Sequence, residues 1–403
     1  MRGVRMNALF HESYFAYAYD LLTRMVAVNT TNPPGNEREL SEFLGAELSS
    51  IGAEVSIQDA AEGRANLIAR IKGGSDGPVL VLTGHLDTVA ANSGWTKEPF
   101  QVTRSDGRLF GLGVTDMKGG IAAQIAAVRK LLDTGEINRG ELVLCYVADE
   151  ESRSIGLKKA LETLGHADYA VIGEPTELRP AVCHKGVVRM KVTITGKGGH
   201  AARPDHAVNP IADIPTVVNA VAEINRRLEG KRHPLLGCGT AVITVVRAGD
   251  KGNQIPSACE MKIDRRLLPG ETAEQACAEI AEQLTTAFAG KHTTFSLVPY
   301  LSTGSGSVPE ESEIVQTVSE VCQRLFGHQT CVAFDGCCEQ TFWEAAGVDT
   351  VIFGPGSLNQ AHAADESMEE SQLYDAVGGY YEIVRELLGK ETVPAAKASS
   401  ILT

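Results

Sequence analysis

The chain reads as an α/β protein: a large domain on a mostly parallel central sheet, interrupted by an inserted α+β domain. Three observations predict this. Short apolar runs alternate with helical patterns of ten or more residues over the first part of the chain. Near residue 184 the pattern shifts to strands of alternating polarity, and near residue 293 the first rhythm resumes. The 403 residues suffice for two or three domains at about 100–200 residues each.

The elements follow in order. Residues 1–28 form an amphipathic helix that ends before the turn-rich stretch NTTNPPG at 29–35. A second helix covers roughly 37–51. PVLVLT at 78–83 is a buried-strand pattern, 118–133 a helix, ELVLCYV at 141–147 a strand, 154–164 a helix and 169–172 a strand. Strands alternating with long helices are joined by crossovers, so their sheet is largely parallel and covered on both faces.

The inserted domain, 184–292, begins with the alternating VVRMKVTIT at 187–195 and a helix over 209–228. Strands at 241–246 and 258–265 and a helix at 272–289 complete it. Helix 311–326, strand 348–353 and helix 372–388 return to the first domain, which is therefore discontinuous, 1–183 and 293–403. The tail after Gly389 lacks periodicity and is expected to be mobile.

Charge and composition exclude several function classes. With 51 acidic against 37 basic side chains the net charge is −14, and no Lys/Arg run stands out, so a nucleic-acid partner is not expected. No stretch of 18 apolar residues would span a membrane. The nine cysteines are scattered without a C-x-x-C pair, and the N-terminus lacks a signal-peptide pattern. Both features suggest a reduced, cytoplasmic protein.

The chemistry lies at the strand ends. His85-Leu-Asp87 follows PVLVLTG, where open α/β sheets place ligands. Residues two apart on extended backbone face the same way, so Asp87 can accept the second ring N–H of a metal-bound His85. A surface histidine gives the same tripeptide. Asp116, within the glycine-rich GLGVTDMKGG, suits a metal better than a phosphate, although it fits equally well as a helix N-cap. Glu150 and Glu151 close the strand ELVLCYVA. As neighbours on extended backbone they can divide two tasks, one binding metal and the other facing a bound water; an acidic helix start is the bland alternative.

Glu174 ends another apolar strand, and His362 sits in the loop GPGSLNQAH. Together, His85, Asp116, Glu151, Glu174 and His362 supply five nitrogen and oxygen donors at one sheet edge, which suits two Zn²⁺ better than one. Each ion takes one His and one Glu, and Asp116 bridges. Three carboxylates and one hydroxide balance two divalent cations.

In these motifs the chain resembles the dinuclear zinc amidohydrolases that include acetylornithine deacetylase, succinyl-diaminopimelate desuccinylase, bacterial glutamate carboxypeptidase and aminoacylase. VNTTNPPGNE, GHLDTV, GLGVTDMKGG, ADEES, IGEPTE, GKGGHAARP, GNQIP, DRRLLPGE and GPGSLNQAH carry the resemblance over about residues 15–388.

The resemblance implies that the first domain is catalytic and that the insertion is a lid that dimerises. It assigns His85 and Glu174 to one zinc, Glu151 and His362 to the other, and Asp116 to both, with a cis peptide after Asp116. Glu150 is then the general base and Asp87 the support for His85. His200 becomes the lid histidine that stabilises the oxyanion, often across a dimer. Asn253 and Arg266, with Gly356 of the GPG turn, make up the substrate-binding set.

The implied activity is hydrolysis of a small N-acyl amino acid with a free carboxylate by a metal-bound hydroxide, Co²⁺ or Mn²⁺ being possible substitutes for zinc. A carboxypeptidase or dipeptidase acting on a similar amide is the alternative, since the same groups serve both reactions. Two positions depart from the family pattern: Cys338-Glu339 replaces a Thr-Asp or Cys-Asp pair, and Asp349 replaces a proline.

Overall fold

The computed structural model describes residues 2–389, with side chains from Glu12 onward; the tail expected to be mobile lies outside the described residues. Within them the chain forms two compact units, one of residues 2–182, 308–331 and 342–389, the other of residues 183–307 and 332–341.

Apolar runs dictate the sheet of the first unit. Leu142, Val143, Leu144, Cys145, Tyr146 and Val147 are all fully buried. Successive residues of a strand face opposite ways, so both faces of this sheet are covered. The strands lie in the order Glu54–Ala61, Arg64–Lys72, Glu141–Val147, Val79–His85, Tyr169–Ile172, Asp349–Ile352 and Ala181–His184.

The four from Glu141–Val147 to Asp349–Ile352 run parallel, as expected. The flanks are antiparallel: the first two strands form a hairpin that pairs with Glu141–Val147, and on the other side Ala181 pairs with Ile352. The sheet is thus mixed around a parallel centre. Helix Lys118–Thr134 packs with helices Arg2–Ala27 and Glu370–Val384. Its first turn needs Gly120, because a Cβ there would lie 2.2 Å from the carbonyl oxygen of Gly173.

The second unit is an antiparallel sheet in the order Thr240–Ala248, Ala258–Leu267, Gly186–Thr195 and Thr294–Thr303, with two helices. Period-two alternation turns Val188, Met190, Val192 and Ile194 toward a core shared with helices Ile214–Leu228 and Ala273–Phe288. Thr272 and Gln275 form a capping box at the start of the latter helix.

The insertion, expected to end at 292, here continues to Ser307 and also takes in 332–341. Thr294–Thr303 pairs along nearly the whole of Gly186–Thr195. Pro299 breaks the strand pattern in the sequence; the structure tolerates it on the edge strand, where the register shifts between Pro299 and Leu301.

Beneath the carboxyl ends of the parallel strands lies a buried ion network. Arg64, 7% exposed, pairs with Glu37 and reaches Asp149 Oδ1 at 2.5 Å. Both acids are almost wholly buried. Arg64→Leu strands two buried carboxylates and is expected to cost about 3–5 kcal/mol, measured by urea denaturation. A loss below about 1 kcal/mol, the range of exposed pairs, would contradict this placement of the charges.

Candidate metal centre

Each parallel strand of the first unit delivers one piece of the site at its carboxyl end. Val79–His85 ends on His85, Glu141–Val147 leads into Asp149, Glu150 and Glu151, Tyr169–Ile172 leads to Glu174, and Asp349–Ile352 opens the loop that reaches His362. Asp116 arrives from the glycine-rich loop before helix Lys118–Thr134, and the Asp116–Met117 peptide is cis. Two residues here hold left-handed backbone, Asp149 at φ +70° and His362 at φ +57°, a strain that clusters at functional sites.

The five expected donors converge as two groups that share Asp116. His85, Asp116 and Glu174 form one and Asp116, Glu151 and His362 the other, with the ligand atoms of each within 4.8 Å of one another. Asp116 presents one oxygen to each imidazole: Oδ1 lies 2.9 Å from His85 Nε2, and Oδ2 3.3 Å from His362 Nε2. Glu174 Oε1 is 3.4 Å from His85 Nε2, and Glu151 Oε1 is 2.9 Å from His362 Nε2. His85 is 1% exposed and His362 52%, so the second group is open to water and the first is closed.

Asp87 supports His85 differently from the expectation. The ring Nδ1 lies 2.9 Å from the main-chain oxygen of Asp87 and 3.8 Å from its carboxylate. The carboxylate instead accepts the backbone N–H groups of Glu150 at 3.1 Å and Glu151 at 3.2 Å.

Glu366, which sequence reasoning passed over, has the matching task on the other side. Its buried carboxylate accepts the N–H groups of Gly113 and Thr115 at 2.8 Å and of Asp116 at 3.0 Å, and so holds the loop that carries Asp116. These partners are about 250 positions away in the chain, and only the fold reveals them. Gly356 sits at φ +92°, its N–H bonded to Gln372 Oε1 at 2.7 Å.

His200, Asn253 and Arg266 belong to the second unit. His200 pairs with Gln254 across two short strands, and Ala201 N–H donates to the Asn253 carbonyl at 3.0 Å, which brings the first two segments together. Arg266 Nε donates to Asp264 Oδ1 at 2.8 Å, while its neighbour Arg265 is buried against Glu271. His166, His206, His233, His292 and His328 join neither donor group among the described residues.

The electrostatics favour a cation. Burial, reinforced by the charge of Asp116, pushes the Glu174 carboxyl up to about 7. Burial likewise raises Glu151 despite its bond to His362. Hydrogen bonds donated to Asp116 and Glu151 push His362 up to about 10. Burial opposes a charged His85, but its bonds to Asp116 and Glu174 prevail and raise it well above the usual range. Positive charge is thus favoured between these groups, and the donor set fits divalent ions. Because ligands must be deprotonated, metal loading near pH 7 is expected to release protons and to tighten as pH rises. Calorimetric titration in buffers of different ionisation enthalpy checks this; identical heats in all buffers would refute it.

The family model described as Peptidase family M20/M25/M40 matches residues 81–386. An acetylornithine deacetylase of Proteus mirabilis is 30% identical over 382 residues, covering 93% of this chain and 94% of its own. That of Salmonella paratyphi B is 32% identical over 349 residues, covering 82% and 86%. Among solved structures, a tripeptidase from Staphylococcus aureus superposes with a TM-score of 0.79 at 19% identity, covering 93% of this chain and 99% of its own. A dinuclear metal binding peptidase of the M20 family from Bacillus subtilis gives 0.72 at 18% identity, covering 94% and 99%. The two structures bear on the fold, and the sequence matches on the family. The chain belongs to Peptidase family M20/M25/M40 and is a metallohydrolase that acts on amide bonds.

Proposed function

We propose that the protein removes an acyl group from a small N-acyl amino acid with a free carboxylate, using two zinc ions. The observation that carries this is Asp116, whose two oxygens face His85 and His362 separately, each imidazole backed by its own glutamate. His85 and Glu174 would hold one ion, Glu151 and His362 the other, and Asp116 both. The acetylornithine deacetylases, similar over most of their length, support an N-acyl amino acid as the substrate class.

When bound, the ions supply a water whose pKa falls to about 7. Glu150 would serve as the general base, taking a proton from the attacking water and returning it to the amine nitrogen as the C–N bond breaks. Asp87 fixes the backbone from which Glu150 acts. His200 is proposed to donate to the oxyanion, an interaction worth a few kcal/mol in such sites. Asn253, Arg266 and Gly356 are proposed to hold the substrate. A cytoplasmic homodimer dimerised through the inserted domain completes the proposal. No helix among the described residues is long and apolar enough to cross a membrane.

Hydrolysis of a panel of N-acetyl, N-succinyl and N-formyl amino acids and of dipeptides, with and without chelator, tests the function. Release of amino acid from the acylated compounds, abolished by chelator and restored by zinc, is expected. Turnover of dipeptides alone would replace the deacylase with a dipeptidase, and chelator-resistant turnover would overturn the metal. Glu150→Gln is expected to retain two ions per chain by elemental analysis while kcat falls by about 10²–10⁴. Loss of metal with the side chain would make Glu150 a ligand instead of a base. His200→Ala should lower kcat by about 10²–10³ with the circular dichroism unchanged; an unaltered kcat removes His200 from the chemistry.

A further inference from the structure

The NTTNPPG stretch contributes no donor to the metal groups, yet one of its side chains touches the frame that holds them. Asn32 Nδ2 donates to Asp87 Oδ2 at 2.8 Å and to Asp149 Oδ1 at 3.0 Å. An amide nitrogen carries two N–H groups, and both are used here. The amide oxygen faces Arg64 Nη1 at 3.4 Å. The backbone at this point is held separately: Asn32 N–H donates to the Thr88 carbonyl at 2.8 Å, and Thr88 N–H to that of Thr30 at 3.2 Å. The side chain is therefore presented from a fixed base beside the end of the His85 strand.

The two carboxylates it joins are both buried, Asp87 fully and Asp149 to within 1%. Like charges that share one nitrogen in a low-dielectric interior repel strongly. Arg64 reaches Asp149, whose Oδ2 has no hydrogen-bond partner among the described residues. The neutral amide of Asn32 stands between the two acids and donates to each.

Asp87 passes the constraint on in one direction. Its carboxylate accepts the N–H groups of Glu150 and Glu151, whereas His85 is held by its main-chain oxygen. We infer that Asn32 is a positioning residue for one half of the metal centre: it separates the carboxylates of Asp87 and Asp149 and aligns Asp87 with the Glu150–Glu151 backbone. Glu151 as a ligand and Glu150 as the base, as proposed above, are assumed in this assignment. Its consequence is asymmetric. The ion held by Glu151 and His362 depends on Asn32, and the ion held by His85 and Glu174 does not.

The test is titration of the metal-depleted full-length protein with Co²⁺, followed by visible absorption and calorimetry. In Asn32→Ala, one of the two affinities should fall by about 10- to 100-fold, the usual scale for residues behind a ligand, with the other little changed. Asn32→Asp, which brings in a third carboxylate, should lower the same affinity further. Combined with Glu151→Ala, which leaves only the His85–Glu174 ion, Asn32→Ala should have no added effect. Asn36→Ala is the control, because the Asn36 side chain is exposed and, among the described residues, donates to Glu39 away from the metal groups.

Equal weakening of both ions, or of neither, in folded Asn32→Ala would overturn the inference. Should that variant fail to fold, Asn32→Ser, which keeps one donor, carries the same measurement. If Glu151→Ala alone still binds two ions with native affinity, the ligand assignment itself has failed, whatever Asn32 does.

Discussion

Asp116, Glu151 and Glu174 bring three carboxylates against two imidazoles at a sheet edge where all but His362 are largely closed off from water. Taking that much negative charge out of water is unfavourable unless cations or N–H groups answer it, because desolvation penalises each ionised acid. Burial raises Glu174, and the neighbouring carboxylates hold His85, against its burial, and His362 above the usual range, so positive charge is favoured among these groups. Divalent ions would answer it more fully, and the donors are already arranged in two groups to receive them.

The scaffold around the donors follows the same logic. Glu366 is compensated by three backbone N–H groups, Asp87 by two N–H groups and the Asn32 amide, and Asp149 by Arg64 and the same amide. Each buried acid thereby fixes a loop that carries a proposed ligand or the proposed base. Glycine makes the close approach possible: a Cβ at Gly120 or Gly354 would collide with the Gly173 carbonyl, which lies beside Glu174.

Sequence alone made the parallel centre legible, because runs such as ELVLCYV are apolar on both faces, and it grouped the five donors because each follows such a run. The edge hairpin Glu54–Ala61 and Arg64–Lys72 leaves a weak signal in the sequence: its outer strand is half-polar, and Arg64 and Asn66 are buried for reasons that lie in distant partners. The second unit runs past 292 because Thr294–Thr303 joins its sheet, and Pro299 interrupts the alternation of that strand, a break tolerated at the sheet edge. The support roles were the least legible. Spacing pairs Asp87 with His85, but the choice between its main-chain oxygen and its carboxylate rests on where the Glu150–Glu151 backbone passes. Glu366 has no local signature, since its three partners come from a loop far away in the chain.

The proposed centre holds two ions that share Asp116. The most direct measurement is a crystal structure of the zinc-loaded protein with anomalous data collected on both sides of the zinc absorption edge. Two peaks about 3.5–4 Å apart are expected, one at His85 and Glu174, the other at Glu151 and His362, with Asp116 between them. A single peak at full zinc occupancy, or two peaks without Asp116 between them, would contradict it.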